Sequence, residues 1–190
     1  TYEYASVLGV DVKARSVRVN RNTSGIYAGR DTECGFVVKV SDGRLFYEYS
    51  LDDISGDIPA LAAKIATSVV CDSSNTIAGA ALPDEPLVRD FTREHDLADY
   101  TEAQLLGFCK EQCEALLSKS EYLLNAMVNL QQMEVSKLFI SENRELSQNY
   151  SWVNGIMVAI YRENDKVVQA YESANYHRIA DVLAELPTLT

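Results

Sequence analysis

The sequence predicts an α+β fold in which antiparallel β-meanders carry two to three packing helices. Three observations lead there. Segments such as Ser16-Val17-Arg18-Val19-Asn20-Arg21 alternate apolar and polar residues, the period of a half-solvated antiparallel strand. Asp42-Gly43 separates two strand-like segments and supplies the φ > 0 conformations of a tight hairpin turn. Two other stretches place apolar residues three and four apart behind helix-start signals.

In chain order, residues 4–50 read as a run of short strands, with Gly35–Val40 and Leu45–Tyr49 as the arms of the Asp42-Gly43 hairpin. A helix is expected from Asp57, which can accept bonds from first-turn amides, with Pro59 where a missing N–H costs nothing. Ile58, Leu61, Ala62, Ile65, Ala66 and Val69 share its apolar face. Cys71–Asp90, with Gly79, Pro83 and Pro86, reads as a connector. Thr101 and Gln104 form a capping box for a second helix, whose apolar positions are Leu105, Leu106, Cys109, Cys113, Leu116 and Leu117. Strand signals return at Tyr122–Gln131, Glu134–Ser141, Tyr150–Tyr161 and Lys166–Glu172, and a last helix is expected near Tyr176. Gly35-Phe36-Val37-Val38-Lys39-Val40 is echoed by Gly155-Ile156-Met157-Val158-Ala159-Ile160. The echo fits a two-fold internal pseudo-repeat, with sub-halves 1–75 and 100–190 joined by a connector 76–99. It equally fits two unrelated meanders.

Composition narrows the function. Across 190 residues, 17 Lys+Arg face 28 Asp+Glu for a net charge of −11, and 47% of residues are hydrophobic. That apolar content is ordinary for a packed domain and argues against disorder. Dispersed cations and an acidic balance argue against a nucleic-acid partner. No stretch is long and apolar enough to predict a membrane span, and no export signal is visible at Thr1-Tyr2-Glu3-Tyr4. Cys34, Cys71, Cys109 and Cys113 are too few and uneven for a disulfide framework, so a reduced, cytoplasmic chain is expected.

The search for chemistry yields no catalytic and no metal-binding residue. His95 and His177 each lack a second His one helical turn away, so a surface or capping role is expected of both. Cys109 and Cys113 share a helix face that is otherwise rich in Leu, which points to core packing. The acidic pairs Asp52-Asp53 and Glu94/Asp96 are expected to favour helix dipoles or to keep the surface soluble. Tyr47, Tyr49, Tyr161 and Tyr171 lie in strand-like segments, where tyrosine serves either a half-buried sheet or a docking face.

Taken in order, these segments resemble a family. Tyr4-Ala5-Ser6-Val7, Ser16–Asn22, Ile26–Glu33, the Gly35–Tyr49 hairpin and the Asp57–Val70 helix are similar to the N-terminal half of the TldD/PmbA proteins. Those proteins are known both as modulators of DNA gyrase and as peptide-maturation metalloproteases. Leu138–Arg144, Trp152–Arg162 and Gln169-Ala170-Tyr171-Glu172-Ser173 extend the likeness, with Ala170 standing where the family has Gly. The family's zinc motif, His-Glu-x-x-x-His, lies in its C-terminal half, and residues 1–190 contain none. The resemblance therefore implies that 1–190 is a single non-catalytic N-terminal domain, either cut from a longer chain or a degenerate relative. No cofactor is expected in this chain, zinc being implied for the C-terminal half. The resemblance also implies a homo- or hetero-dimer with a family member, and unfolded, extended peptide as the substrate to be admitted. The rival expectations are a stand-alone peptide-binding or dimerisation module, and, last, a metal-free enzyme using Asp, Glu and Tyr.

Overall fold

The computed structural model describes residues 2–29, 32–43, 45–68 and 84–189, apart from the Glu163 side chain. Among these residues, eight strands run β1 (Tyr4–Asn20), β2 (Ser24–Ala28), β3 (Glu33–Ser41), β4 (Phe46–Leu51), β5 (Leu87–Thr92), β6 (Leu123–Ser141), β7 (Arg144–Glu163) and β8 (Lys166–Tyr176). Three α-helices accompany them: α1 (Ile58–Ser68), α2 (Glu102–Leu117) and α3 (Ile179–Glu185). Hydrogen bonding orders the sheet β4-β3-β1-β6-β7-β5, with β2 also on β1 and β8 also on β7. The α+β class is as expected. The sheet departs from pure antiparallel pairing at β5, which runs parallel to β7.

Several strands are longer than the sequence pattern suggested. Residues 4–50 contain one strand of 17 residues, β1, where a run of short ones was expected. The segments Tyr122–Gln131 and Glu134–Ser141 are one strand, β6. The polar pair Gln131-Gln132 does not break it, because the Gln132 side-chain Oε1 accepts a 2.7 Å bond from Arg15 Nε. A polar residue inside a strand is tolerated once it is hydrogen-bonded.

The described residues fall into two compact units that draw on interleaved segments rather than on consecutive halves of the chain. One takes Thr1–Asp11, Glu33–Thr92 and Ser136–Asn149, and the other takes Val12–Thr32, Arg93–Val135 and Tyr150–Thr190. The reason is strand length, since β1, β6 and β7 each supply residues to both.

In the first unit β3 and β4 pair antiparallel through the expected turn. Gly43 has φ +86°, and Asp42 Oδ1 accepts from Leu45 N at 2.9 Å, which closes the turn. Asp57 Oδ1 accepts from Ala60 N at 3.1 Å and starts α1, as its position predicted. Ile65 of α1 packs with Val40, and Tyr2, Val38, Tyr47, Tyr49, Leu51 and Leu61 surround them. Val69, expected on the same face, lies outside the described residues, as does most of the connector. The described end of that connector is a strand. Asp90 of β5 accepts from the Ser147 hydroxyl on β7 and, at 2.9 Å, from the Thr92 hydroxyl. These bonds, Ser147 first, hold the Asp90 carboxyl below its ordinary range. Pro86 lies just before this strand, which is short, and the residue that anchors Asp90 is 57 positions away.

The second unit has the larger core. Val17 and Val19 of β1, Ala126, Val128 and Leu130 of β6, Val153 and Met157 of β7 and Ala174 of β8 present one apolar sheet face. Leu105, Cys109 and Cys113, spaced by four on α2, cover it together with Ile179, Val182 and Leu186. The Thr101–Gln104 capping box that starts α2 is formed as expected.

Candidate functional site

The feature best suited to engage another chain is the outer edge of β8. Asn164 (φ +57°) and Asp165 turn the chain between β7 and β8, and register runs from Glu163↔Lys166 to Val153↔Tyr176. Across a two-residue turn the closing pair bonds to itself, so even-numbered β8 residues spend their main-chain groups on β7. Val167, Gln169, Tyr171, Ser173 and Asn175 therefore direct N–H and C=O away from the ladder. Among the described residues, β7 is the only strand that pairs with β8. Side-chain geometry agrees with this alternation. Ala174 is buried in the core, whereas Asn154 Nδ2 donates to Asn175 Oδ1 at 2.6 Å, as the closer side chains of a non-bonded pair allow.

Both the edge and its support are specific. Ser151 donates its hydroxyl to the His177 carbonyl, and His177 Nδ1 donates to the Ser151 carbonyl at 2.9 Å. This reciprocal pair fixes the His177 tautomer and clamps the far end of the β7–β8 hairpin. Immediately beyond, α3 starts without a cap from its own N-cap residue, Arg178. Asp96 supplies the cap from a distant segment, accepting from Ile179 N at 2.6 Å and Ala180 N at 2.9 Å. Arg178 Nε lies 3.7 Å from the same carboxylate. Asp96 is only 4% exposed, so of the two roles expected of it the structure shows the favourable charge at a helix start, that of α3, and not the solubilising one.

The other residues singled out from sequence are dispersed. His95 is exposed on the connector, and Tyr47 and Tyr49 support the core of the first unit. Tyr161 is half-buried on β7, while Tyr171 is 70% exposed on the β8 edge strand. Asp53 bonds to Ser55 within its own turn, which lowers its pKa through the side-chain bond first and the backbone bond second. Cys109 and Cys113 are buried, and desolvation, followed by Cys113, pushes the Cys109 thiol up to about 12. Among the described residues no three His, Cys, Asp or Glu side chains are grouped so as to hold a metal. Cys109 and Cys113 are buried on one helix face with no third such side chain beside them among the described residues, so they do not make a zinc centre. No helix among the described residues is long and apolar enough to cross a membrane.

Cys109 provides a direct check on burial. Below about pH 9 both folded and unfolded states keep the proton, and between 9 and about 12 only the folded state does. Stability is therefore expected to fall as pH rises through that window. At pH 8 a thiol reagent should modify exposed Cys34 rapidly and leave Cys109 intact until the chain unfolds, read by mass spectrometry of the peptides. Rapid labelling of Cys109 in the folded chain would contradict the packing described.

An α+β domain built on a largely antiparallel sheet, with β8 an edge strand among the described residues, is thus the class that the fold defines. No protein-family model matches the chain, and no curated protein matches its sequence. Solved structures do match in fold. A provisionally assigned modulator of DNA gyrase from Bacteroides thetaiotaomicron superposes with TM-score 0.69 at 15% identity, over 99% of this chain and 45% of that one. A provisionally assigned gyrase modulator from Thermotoga maritima gives 0.71 at 12% identity, over 94% and 40%. TldE from Thermococcus kodakarensis gives 0.67 at 9% identity, over 99% and 43%. The resemblance read from the order of segments thus holds at the level of fold. The chain spans less than half the length of each of these proteins.

Proposed function

We propose that this chain is the non-catalytic part of a TldD/PmbA-like cytosolic zinc metalloprotease. There it helps to enclose the active-site chamber, contributes to a homo- or hetero-dimer with a family member and admits unfolded peptide in extended form. The observation that carries this reading is the coverage: nearly the whole chain matches, against 40–45% of each longer protein. The chemistry would then belong to the remainder, since residues 1–190 contain no His-Glu-x-x-x-His. The β8 edge supports the peptide-admitting role. An edge strand binds extended peptide through main-chain bonds, which are largely independent of the peptide's sequence. The net charge of −11 would favour basic peptides, more so at low salt.

The same edge would serve a stand-alone peptide-binding module, so the first discriminator is the reading frame. Continuation past Thr190 into His-Glu-x-x-x-His supports the proposal, and a stop codon there supports the module. The edge itself is tested by Tyr171→Pro. Its N–H points away from β7, so the ladder loses nothing and stability should change by less than about 1 kcal/mol. Binding of a labelled unstructured peptide, followed by fluorescence anisotropy, should be lost. Unchanged binding in a folded Tyr171→Pro chain would remove the β8 edge from the mechanism.

A further inference from the structure

Away from the β8 edge, the second unit contains a cleft of ≈ 390 Å³ whose lining includes Ala14, Arg15, Leu97, Ala98, Gln132 and Glu134. Its volume is in the range of small-molecule sites. Gln132 is the unusual member. It is only 2% exposed, and its Nε2 has no hydrogen-bond partner among the described residues. Its orientation is set by chemistry. Arg15 Nε donates to Gln132 Oε1 at 2.7 Å, and turning the amide over would set two donors against each other. The unmet group is therefore a donor, and a buried donor without an acceptor is unfavourable.

We propose that this cleft binds a single carboxylate, one oxygen accepting from Gln132 Nε2 and the other from the Arg15 guanidinium. Arg15 retains the donors for this. Its Nη2 is 3.5 Å from the Leu97 carbonyl, and its Nη1 stands 3.8 Å from Glu102, beyond hydrogen-bond distance. Arg15 brings a positive charge to the cleft, and its ion pair with Glu102 is long at 3.8 Å, so a carboxylate at hydrogen-bond distance would be the closer anionic partner. Glu134 opposes a second negative charge, so a monoanion fits better than phosphate. Leu97, Ala98 and Ala14 supply apolar wall for the carbon skeleton. The carboxylate could belong to a free small acid or to the C-terminus of a peptide, and the inference stands independently of the function proposed above.

The full chain would be titrated with acetate, the dipeptide Gly-Leu, its C-terminal amide and inorganic phosphate, following by NMR the Gln132 side-chain amide and Arg15 Nε–H resonances, and the Arg15 resonance alone in the Gln132 variants. Acetate and Gly-Leu shifting those resonances together points to any small carboxylate, and Gly-Leu alone points to peptide termini. The amide and phosphate should bind at least about tenfold more weakly than the best carboxylate. Gln132→Glu gives Arg15 a charged partner and removes the orphan donor, so it should raise the melting temperature while abolishing binding. Gln132→Met, close in shape, should weaken binding about tenfold and keep the fold. Equal affinity for Gly-Leu and its amide, absence of any shift, or full binding by Gln132→Glu would overturn the assignment.

Discussion

Replacing Asp96 with Ala is expected to lower the free energy of unfolding by about 3 kcal/mol, read from urea midpoints at constant m-value. The magnitude follows from what the substitution leaves behind. The carboxylate accepts from the first two amides of α3, Ile179 N at 2.6 Å and Ala180 N at 2.9 Å. Ile179 is fully buried, so water cannot easily replace the lost acceptor. A hydrogen bond to a charged group contributes roughly 1.5–3 kcal/mol, and capping losses run to about 2. Arg178 cannot substitute, because it is itself a cation at the positive end of a helix. Asp96→Asn keeps one acceptor oxygen and should cost about half as much. A change under about 0.5 kcal/mol for Asp96→Ala would show that α3 docks without its remote cap.

The second large effect is expected at Gly155, where Val should cost about 2–3 kcal/mol. A Cβ at this position would stand 2.6 Å from Val182 Cγ1 and 2.7 Å from Leu186 Cδ1. Both side chains are fully buried, so neither can swing into solvent to make room. Valine is otherwise favoured in strands, and a destabilisation here would therefore measure packing against the intrinsic preference. Gly155→Ala should lie between glycine and valine. Pairing Gly155→Ala with Leu186→Ala should recover part of the loss, since the two changes share one space. Strict additivity in that double-mutant cycle would disprove the close approach of β7 to the C-terminal segment.

Local chemistry explains which parts of the fold could be read directly. The Asp42-Gly43 turn, the Asp57 start of α1 and the Thr101–Gln104 box are decided within three or four residues. All three are observed where the pattern placed them. The α2 stripe of Leu105, Cys109 and Cys113 is likewise a consequence of helical period. Strand lengths were less legible because a polar pair such as Gln131-Gln132 looks like a break until its distant partner is known. The parallel strand β5 was hidden for the same reason, since Ser147, which anchors Asp90, is 57 residues away.

The functional features divide along the same line. The order of segments already pointed to the fold shared with the gyrase modulators and TldE. No local pattern could show that Asp96 caps α3 across 83 residues. Nor could one show that β8 pairs with β7 alone among the described residues, or that Gln132 faces Arg15 with a donor unmet among them. Sequence by itself determined the elements whose stabilising contacts lie within a turn or two, because those contacts exist before the chain collapses. Tertiary structure alone decided which edge stays unpaired and which buried polar group lacks a partner. Those properties depend on what every other strand and helix has already covered.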